Sequence, residues 1–402
     1  MRSITGEMIT SSVDCCRSDI DRREFCTNVV AAAVVPQVMD GFSLEREAVD
    51  SSKKVSTHKF IFTAAQNMGM LNDATIDLVM TSPPYPMIEM WDSIFAAQNK
   101  EIQNVIGENP IQAFELMHKE LDKVWTECFR VLKDGGFLCV NIGDATRTIN
   151  GSFRLYNNHS RIVDFCTKLG FSNLPGVIWR KQTNAPNKFM GSGMLPCGAY
   201  VTLEHEWILV FRKGDKRLYK KSDERDSRRE SAFFWEERNV WFSDLWEIKG
   251  TRQSIEDSST RDRNASFPLE IPFRIINMYS QRGDTVLDPF VGLGTTTIAA
   301  MLSGRNSVGI DIDVKLKSTI RKNIAHAKPD FLNTLIQARY EKHLEFIKER
   351  ELAGKGVKYK NVNLGCNVMT SQESDMRLYY VAAVDEGEGL DLTYTCAYKP
   401  MH

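Results

Sequence analysis

Residues 284–302 read as a strand, a glycine-bearing turn and a helix in direct succession, an order that few folds accommodate. The segment begins Asp-Thr-Val-Leu-Asp, turns at Gly292 and Gly294, and continues with helix-forming residues. Glycine lets the backbone approach a ligand closely, and such a unit is typical of nucleotide-binding sheets. The pattern therefore predicts an α/β fold with a ligand site at this turn.

A second strand, residues 307–310, follows this unit and ends at Asp311, nineteen residues after Gly292. Nucleotide-binding folds place an acid on the ribose hydroxyls at a spacing of about twenty residues. The phosphate-binding pattern G-x-G-x-x-G is incomplete, because Thr297 occupies its last position. A nucleoside ligand without phosphates explains this better than a dinucleotide does.

A second motif lies far upstream, where an apolar run at residues 76–80 leads into Ser82, Pro83, Pro84 and Tyr85. This order predicts a buried strand that delivers a rigid loop to the sheet edge at which open α/β folds bind ligands. Two prolines remove two N–H donors, so the loop carbonyls are free to accept hydrogen bonds. With a tyrosine beside them, these acceptors suit a planar base that carries an exocyclic amine and has left its helix.

Together the two motifs resemble those of the DNA amino-methyltransferases, which move a methyl group from S-adenosylmethionine to an exocyclic amine. The catalytic motif, residues 81–85, precedes the cofactor motif, residues 288–296, as in the circularly permuted β class of that family. The resemblance covers residues 58–327, about two-thirds of the chain. It implies a Rossmann-like methyltransferase fold, with a mostly parallel seven-stranded sheet and helices on both faces.

The resemblance also assigns roles to individual residues. The catalytic residues are expected to be Ser82, Pro83, Pro84 and Tyr85. The residues expected to bind S-adenosylmethionine are Phe267, Pro268, Asp288, Pro289, Phe290, Gly292, Gly294, Thr295, Thr296 and Asp311. No metal is expected, because the nine cysteines include no C-x-x-C pair and their spacing is irregular.

The first residue of the Ser-Pro-Pro-Tyr tetrad, residues 82–85, indicates which base is the substrate. In the family, serine there is associated with cytosine N4, and aspartate or asparagine with adenine N6. The expected reaction is direct methyl transfer to a flipped cytosine, with the amine donating to the Ser82 hydroxyl and the Pro83 carbonyl while Tyr85 stacks on the ring. Adenine N6 remains the alternative, since only Ser82 argues against it.

One position departs from the family pattern. Family members usually carry Gly-Asp after the strand that precedes the catalytic one, and the acid often meets the adenine of the cofactor. The aligned residues here are Thr63 and Ala64, and alanine cannot accept a hydrogen bond. Either Asn67 or a backbone group substitutes, or cofactor affinity is reduced. A DNA-binding module with decayed catalysis is therefore an alternative of another class.

The net charge of −1 does not exclude DNA as a partner, because a duplex contacts only one face of a protein. Residues 212–229 hold nine basic and four acidic side chains, and aromatic residues follow at 233–246. A target-recognition region falls here in the family. The side chains expected to meet phosphates of double-stranded DNA are Lys216, Arg217, Lys220 and Lys221, with a solvated loop as the alternative.

The predicted organisation has five parts. They are an N-terminal extension at 1–57, a catalytic half at 58–212, a target-recognition insertion at 213–263, a cofactor-binding half at 264–327, and a C-terminal extension at 328–402 with a helix and a hairpin. No run approaches eighteen apolar residues, so we expect a cytoplasmic enzyme beside DNA. A companion restriction endonuclease is a further partner that the resemblance allows.

Overall fold

The computed structural model describes residues 55–181, 190–250, 267–388 and 391–401. Of the predicted N-terminal extension, only the last three residues belong to this part of the chain, and they begin the first strand. Residues 251–266, which include the end of the predicted target-recognition insertion, lie outside it.

The strands of the central sheet are spread over the whole of the described chain. In chain order, with the short pairs beside the sheet included, they are β1 Val55–Phe62, β2 Ile76–Thr81, β3 Leu132–Ile142, β4 Ala145–Ile149, β5 Ser152–Tyr156, β6 Phe171–Arg180, β7 Met190–Gly191, β8 Ala199–Tyr200, β9 His205–Lys213, β10 Leu245–Glu247, β11 Thr285–Asp288, β12 Asn306–Asp311, β13 Tyr359–Lys360, β14 Asn367–Val368, β15 Tyr379–Glu386 and β16 Leu392–Pro400.

Helices connect these strands. They are α1 Asp92–Gln98, α2 Lys100–Val105, α3 Pro110–Val131, α4 Asn158–Leu169, α5 Ser222–Glu230, α6 Trp235–Trp241, α7 Glu270–Tyr279, α8 Thr295–Ser303, α9 Leu316–His326 and α10 Pro329–Leu352, with single 3-10 turns at Glu89–Trp91 and Ser371–Glu373.

The central sheet has the strand order β10-β6-β9-β3-β2-β11-β12-β1-β16-β15. From β6 to β1 it contains seven strands, and every neighbouring pair among them is parallel except the two pairs that β9 makes. The predicted α/β fold with a mostly parallel sheet is confirmed. The sheet is three strands wider than predicted, because β10 adds to one edge and the β15–β16 hairpin to the other.

Helices cover both faces of the sheet, which explains why three successive residues of β2, Leu78, Val79 and Met80, are apolar. Leu78 and Met80 belong to a buried cluster with Ile271 and Ile275 of α7. Val79, which alternates with them, belongs to another cluster with Trp125 of α3. Successive side chains of a strand point to opposite faces, so the covered middle of such a strand is apolar at consecutive positions.

The parallel strands at the centre of the sheet end at one edge, and this carboxyl edge gathers the motifs. β2 ends at Thr81, β11 at Asp288, β12 at Asp311 and β1 at Phe62, and these four strands are neighbours. Loops that are far apart in the sequence therefore begin side by side, at the edge where open α/β sheets bind ligands.

The C-terminal extension is part of the same sheet. β16 runs antiparallel to β1, and α10 buries Leu332 and Ile336 in a cluster that also contains Tyr379 and Val381 of β15. None of the helices in the described ranges is both long and apolar enough to span a membrane.

Candidate active site

A cavity of about 680 Å³ lies at the carboxyl edge, between the loops that follow β2, β11 and β12. Most of the residues predicted to act in catalysis or cofactor binding line it. These are Ser82, Pro83, Pro84, Phe267, Asp288, Pro289, Phe290, Gly292, Thr295, Thr296 and Asp311. Tyr85, Pro268 and Gly294 are not part of the lining. The fold thus brings together two motifs that are about two hundred residues apart in the sequence.

A direct hydrogen bond joins the two motifs. Thr81 Oγ1 donates to Asp288 Oδ1 at 2.6 Å, and the Phe290 N–H donates to the same oxygen at 3.1 Å. Thr296 Oγ1 donates to Asp288 Oδ2 at 2.6 Å. Burial raises the pKa of Asp288 to about 6, against the opposing effect of these hydrogen bonds. A buried carboxylate with three donors fixes the position of both loops relative to each other.

The glycine turn is held by a second carboxylate. Asp311 Oδ2 accepts from the Gly292 N–H at 3.0 Å, and Asp311 Oδ1 accepts from the Asp313 N–H at 2.9 Å. Burial raises the pKa of Asp311, and the two backbone hydrogen bonds oppose this change. The acid predicted to meet ribose hydroxyls therefore also fixes the turn that precedes α8.

Backbone conformation, and not crowding, explains the glycine at position 294. Gly294 has a φ of +86°, in the left-handed region that other residues rarely adopt. A Cβ atom at Gly294 would have no neighbour closer than 3.7 Å, which is an ordinary contact with Phe60.

The charges on the cavity wall favour a positively charged ligand. The charged lining residues are Asp288, Asp311, Asp313 and Lys315. The lining thus has three carboxyl groups and one ammonium group. This excess of acids suits a sulfonium compound with an amino group better than a pyrophosphate. The residues present therefore fit S-adenosylmethionine, and they agree with the incomplete phosphate-binding pattern.

The Ser-Pro-Pro-Tyr loop presents its first three residues to the cavity, whereas the fourth is buried. Tyr85 is only 8% exposed, and its ring lies so close to Gly143 that a Cβ atom there would approach it to 3.0 Å. The ring also belongs to a buried apolar cluster of the protein, and the polar contacts of the side chain are made by its hydroxyl group. Stacking of a base on its ring stays a prediction.

A buried hydrogen-bond network surrounds the Tyr85 hydroxyl. This group donates to Glu206 Oε2 at 2.9 Å and accepts from Asn141 Nδ2 at 2.9 Å, and Ser82 Oγ lies 3.0 Å from it. Asn141 Nδ2 also donates to Glu206 Oε2 at 2.6 Å, and Lys181 pairs with the other carboxylate oxygen. Burial, and then the charge of Glu206, raise the pKa of Tyr85, so the phenol keeps its proton.

Sequence reasoning missed Asn141 and Glu206. They belong to β3 and β9, which pair with each other next to β2. The available signal was a carboxylate within the apolar pattern of residues 205–211, because a charged residue at a buried position usually has a specific partner.

A polar side chain lies near the position at which the family's Gly-Asp is missing. Gln66 lines the cavity in the loop after β1. Asn67, which the sequence suggested as a substitute, is exposed, and its Oδ1 accepts from the Gly69 N–H at 3.0 Å. Gln66 was not predicted, because nothing in the sequence distinguishes it from Asn67.

The basic segment predicted to meet DNA lies at the opposite edge of the sheet. β9 ends at Lys213, whose Nζ donates to the carbonyl of Leu132 at the start of β3. Arg217 Nη1 pairs with Asp284 at 2.8 Å, directly before β11 begins. A six-residue strand is about 20 Å long, so the sheet separates this segment from the cavity.

This placement changes what the predicted phosphate contacts require. Arg217 is half-buried in its ion pair, while Lys216, Lys220 and Lys221 are exposed. Contact of these side chains with DNA phosphates stays a prediction, and it requires the DNA to reach the amino edge of the sheet.

The aromatic residues that follow the basic segment are mostly packed inside the protein. Phe234 stacks on His343 of α10 with ring centroids 3.8 Å apart, and Trp241 contacts Phe273 of α7 edge-on. Trp246 is also buried. In the described part of the 213–263 segment, these rings hold α6 and β10 against the body of the protein.

Comparison with known proteins agrees with the geometry of the cavity. Residues 76–322 match a family model described as DNA methylase. The chain is similar to the Type II methyltransferase M.MthZI of Methanothermobacter thermautotrophicus, with 48% identity over 328 residues, which cover 81% of this chain and 91% of that protein. It is 50% identical over 281 residues to the Type II methyltransferase M.MjaI of Methanocaldococcus jannaschii, covering 67% of this chain and 91% of the relative.

A solved structure shares the fold. It is that of a proposed DNA modification methylase from Thermus thermophilus in complex with S-adenosyl-L-methionine. The TM-score is 0.52 at 30% identity, and the match covers 67% of this chain and 95% of that chain.

Proposed function

Because the chain belongs to the DNA methylase family, and so methylates DNA with S-adenosylmethionine as the methyl donor, we propose that its target is the exocyclic N4 amine of cytosine. We place it in the circularly permuted β class, since the catalytic loop precedes the cofactor turn along the chain. The alternative target is the N6 amine of adenine, which would use the same cofactor residues.

One observation carries the proposal that this cavity is the site of methyl transfer. The hydrogen bond from Thr81 to Asp288 holds the Ser-Pro-Pro loop and the acidic glycine turn on the same cavity. A methyl donor bound by the turn and a base bound by the loop would therefore share one space. A DNA-binding module with decayed catalysis has no need of this arrangement. Where the family's Gly-Asp is missing, Gln66 is part of the cavity lining.

The chemistry of an exocyclic amine explains the choice of residues. Its lone pair is delocalised into the ring, so the nitrogen must become pyramidal before it is a useful nucleophile. Hydrogen bonds from the amine to Ser82 Oγ and to the Pro83 carbonyl favour that geometry. When bound, S-adenosylmethionine supplies a methyl group that its sulfonium has activated. No cysteine nucleophile is required.

Ser82 is the feature that favours cytosine. In the family that the chain resembles, a serine tetrad is associated with cytosine N4, and the Ser82 side chain lines the cavity here. The substrate is double-stranded DNA with the target base flipped out, because neither amine is reachable within a stacked duplex. We also propose a companion restriction endonuclease, since the similar proteins are named Type II methyltransferases.

We expect Gln66→Ala to weaken S-adenosylmethionine binding while Asn67→Ala leaves it unchanged. We propose that Gln66 replaces the missing acid and bonds the cofactor adenine. Loss of one neutral hydrogen bond costs about 0.5–1.5 kcal/mol, or roughly twofold to twelvefold in affinity. Calorimetric titration of both variants with S-adenosylmethionine measures the difference, and equal affinities would contradict the role of Gln66.

The test of the proposed function is the identity of the methylated nucleoside. Purified protein is incubated with S-adenosylmethionine and with DNA from a host that lacks methylation, and the DNA is digested and analysed by mass spectrometry. We expect N4-methylcytosine.

A further inference from the structure

The serine tetrad lacks a carboxylate, and a buried carboxylate lies close behind it. Ser82 Oγ is 3.0 Å from the Tyr85 hydroxyl, which lies 2.9 Å from Glu206 Oε2. Glu206 comes from the start of β9, at the carboxyl edge of the sheet, because β9 runs antiparallel to β3. Two hydrogen bonds thus connect the predicted contact of the target amine to an acid that is only 8% exposed.

The acid determines the direction of these hydrogen bonds. An ionised carboxylate can only accept, so Tyr85 must donate to Glu206. The single phenolic proton is then engaged in the hydrogen bond to Glu206. Ser82 must therefore donate its own proton in the hydrogen bond with the Tyr85 oxygen. Of the two lone pairs of Ser82 Oγ, one faces Asn141 Nδ2 at 3.5 Å. The other makes the serine an acceptor for an N–H group in the cavity.

We propose that Glu206 is a positioning carboxylate for methyl transfer, which acts through Tyr85 to make Ser82 an acceptor and takes up the proton that the target amine loses. This role rests on the proposed function and applies to cytosine N4 and adenine N6 alike. It supplies the acid that an aspartate would provide at the first position of the tetrad.

The proton transfer balances without any further reactant. The amine nitrogen forms a bond to the methyl carbon as the carbon–sulfur bond breaks, and the electron pair of that bond stays on sulfur. One amine N–H proton passes to Ser82 Oγ, the Ser82 proton passes to the Tyr85 oxygen, and the Tyr85 proton passes to Glu206 Oε2. The carboxylate ends as a carboxylic acid.

Both carboxylate oxygens of Glu206 have partners in the structure. Lys181 pairs with Oε1, the oxygen that Tyr85 does not use, and Asn141 donates to Oε2. The side chain of Lys181 is 37% exposed, so this ion pair links the acid to the protein surface.

The test compares Glu206→Gln with Glu204→Gln in single-turnover methylation of DNA. Glu204 is a matched control, since it lies two residues earlier and its side chain is 44% exposed in an ion pair with Arg180. We expect Glu206→Gln to slow transfer by at least about tenfold, which is less than a direct general base contributes because Glu206 acts through Tyr85 and Ser82. The affinities for S-adenosylmethionine and DNA should be unchanged. Glu204→Gln should transfer at the wild-type rate.

A double-mutant cycle separates this role from a general structural one. Tyr85→Phe keeps the ring and removes the hydroxyl that links Ser82 to Glu206. If Glu206 acts through that hydroxyl, the double variant Tyr85→Phe/Glu206→Gln should be no slower than Tyr85→Phe alone. If the rate loss of the double variant equals the product of the losses in the two single variants, the proposal is overturned.

A spectroscopic measurement tests the same link without activity. In protein labelled with ¹³C at tyrosine Cζ, the Tyr85 resonance is the one that disappears in Tyr85→Phe. We expect it to shift in Glu206→Gln and to stay in place in Glu204→Gln.

The outcomes distinguish this proposal from the proposed function. If the wild-type protein methylates DNA and Glu206→Gln does so at the same rate, the role of Glu206 is overturned while the proposed function stands. A Tyr85 resonance that does not shift in Glu206→Gln has the same meaning. If Glu206→Gln does not fold, Tyr85→Phe decides, and its wild-type rate would overturn the role. Wild-type protein that transfers no methyl group to DNA would overturn the proposed function and this role with it.

Discussion

Tyr85→Ala is expected to lower the rate of methyl transfer by about a hundredfold. Stacking of a base on an aromatic ring is worth about 1–3 kcal/mol, and the hydrogen bond of the hydroxyl adds about 1 kcal/mol. The hydroxyl also connects Ser82 to Glu206, so its loss leaves the acceptor at the target amine unoriented. Single-turnover rates on unmethylated DNA measure the effect.

The control for this variant is Tyr156→Ala. Tyr156 is also nearly buried, at 5% exposed, and belongs to the same apolar cluster as Tyr85. Both variants lose a buried aromatic ring, which costs about 3–5 kcal/mol of folding free energy. Only Tyr85→Ala should lose transfer beyond what its folded fraction explains, and full activity in folded Tyr85→Ala would refute the proposed base site.

Gly294→Val is expected to weaken S-adenosylmethionine binding by about 5- to 150-fold. A β-branched residue in the left-handed region costs about 1–3 kcal/mol, and the turn can relieve this strain only by moving away from its present conformation. That turn precedes α8, and Thr295 and Thr296 on the cavity wall would move with it. Calorimetric titration with S-adenosylmethionine gives the affinity.

Gly283→Val separates local strain from its effect on the cofactor. Gly283 has a φ of +81°, close to the value at Gly294, and a Cβ atom there would have no neighbour within 4 Å. It lies in the turn before β11, at the amino edge of the sheet. Gly283→Val should lose stability but retain cofactor affinity, and comparable affinity losses in both variants would argue against a cofactor site at the Gly294 turn.

The fold was predictable because its signals are local. The apolar residues of β2 and the strand, turn and helix of residues 284–302 each carry their pattern within a short stretch. The resemblance to the DNA amino-methyltransferases then implied that both belong to one mostly parallel sheet, and this prediction is confirmed. The hairpin of β15 and β16 was expected within 328–402. Its place beside β1 and the addition of β10 to β6 depend on pairing between strands that are distant in sequence.

In the candidate site, only the residues that belong to a recognisable sequence motif were predictable. Ser82 and Asp288 belong to such motifs, and both line the cavity. Glu206 and Asn141 approach Tyr85 from other strands, so their partnership depends on sheet order and register. No pattern within 205–211 indicates which side chain across the sheet the carboxylate meets.

The basic segment shows a different limit. Its excess of positive charge is a property of composition, and composition does not show at which edge of a sheet a segment lies. β9 crosses the sheet antiparallel to its neighbours and delivers Lys216 to the edge opposite the cavity. The direction of one strand therefore decides how these lysines can meet DNA.

The central claim is methyl transfer to the N4 amine of cytosine in DNA, and isotope-labelled product analysis tests it most directly. Unmethylated DNA is incubated with the full-length protein and S-adenosylmethionine that carries a deuterated methyl group, and the digested nucleosides are identified by mass spectrometry. The label excludes methyl groups already present in the DNA. We expect deuterated N4-methylcytosine. Deuterated N6-methyladenine in its place would contradict the assignment of the base that rests on Ser82.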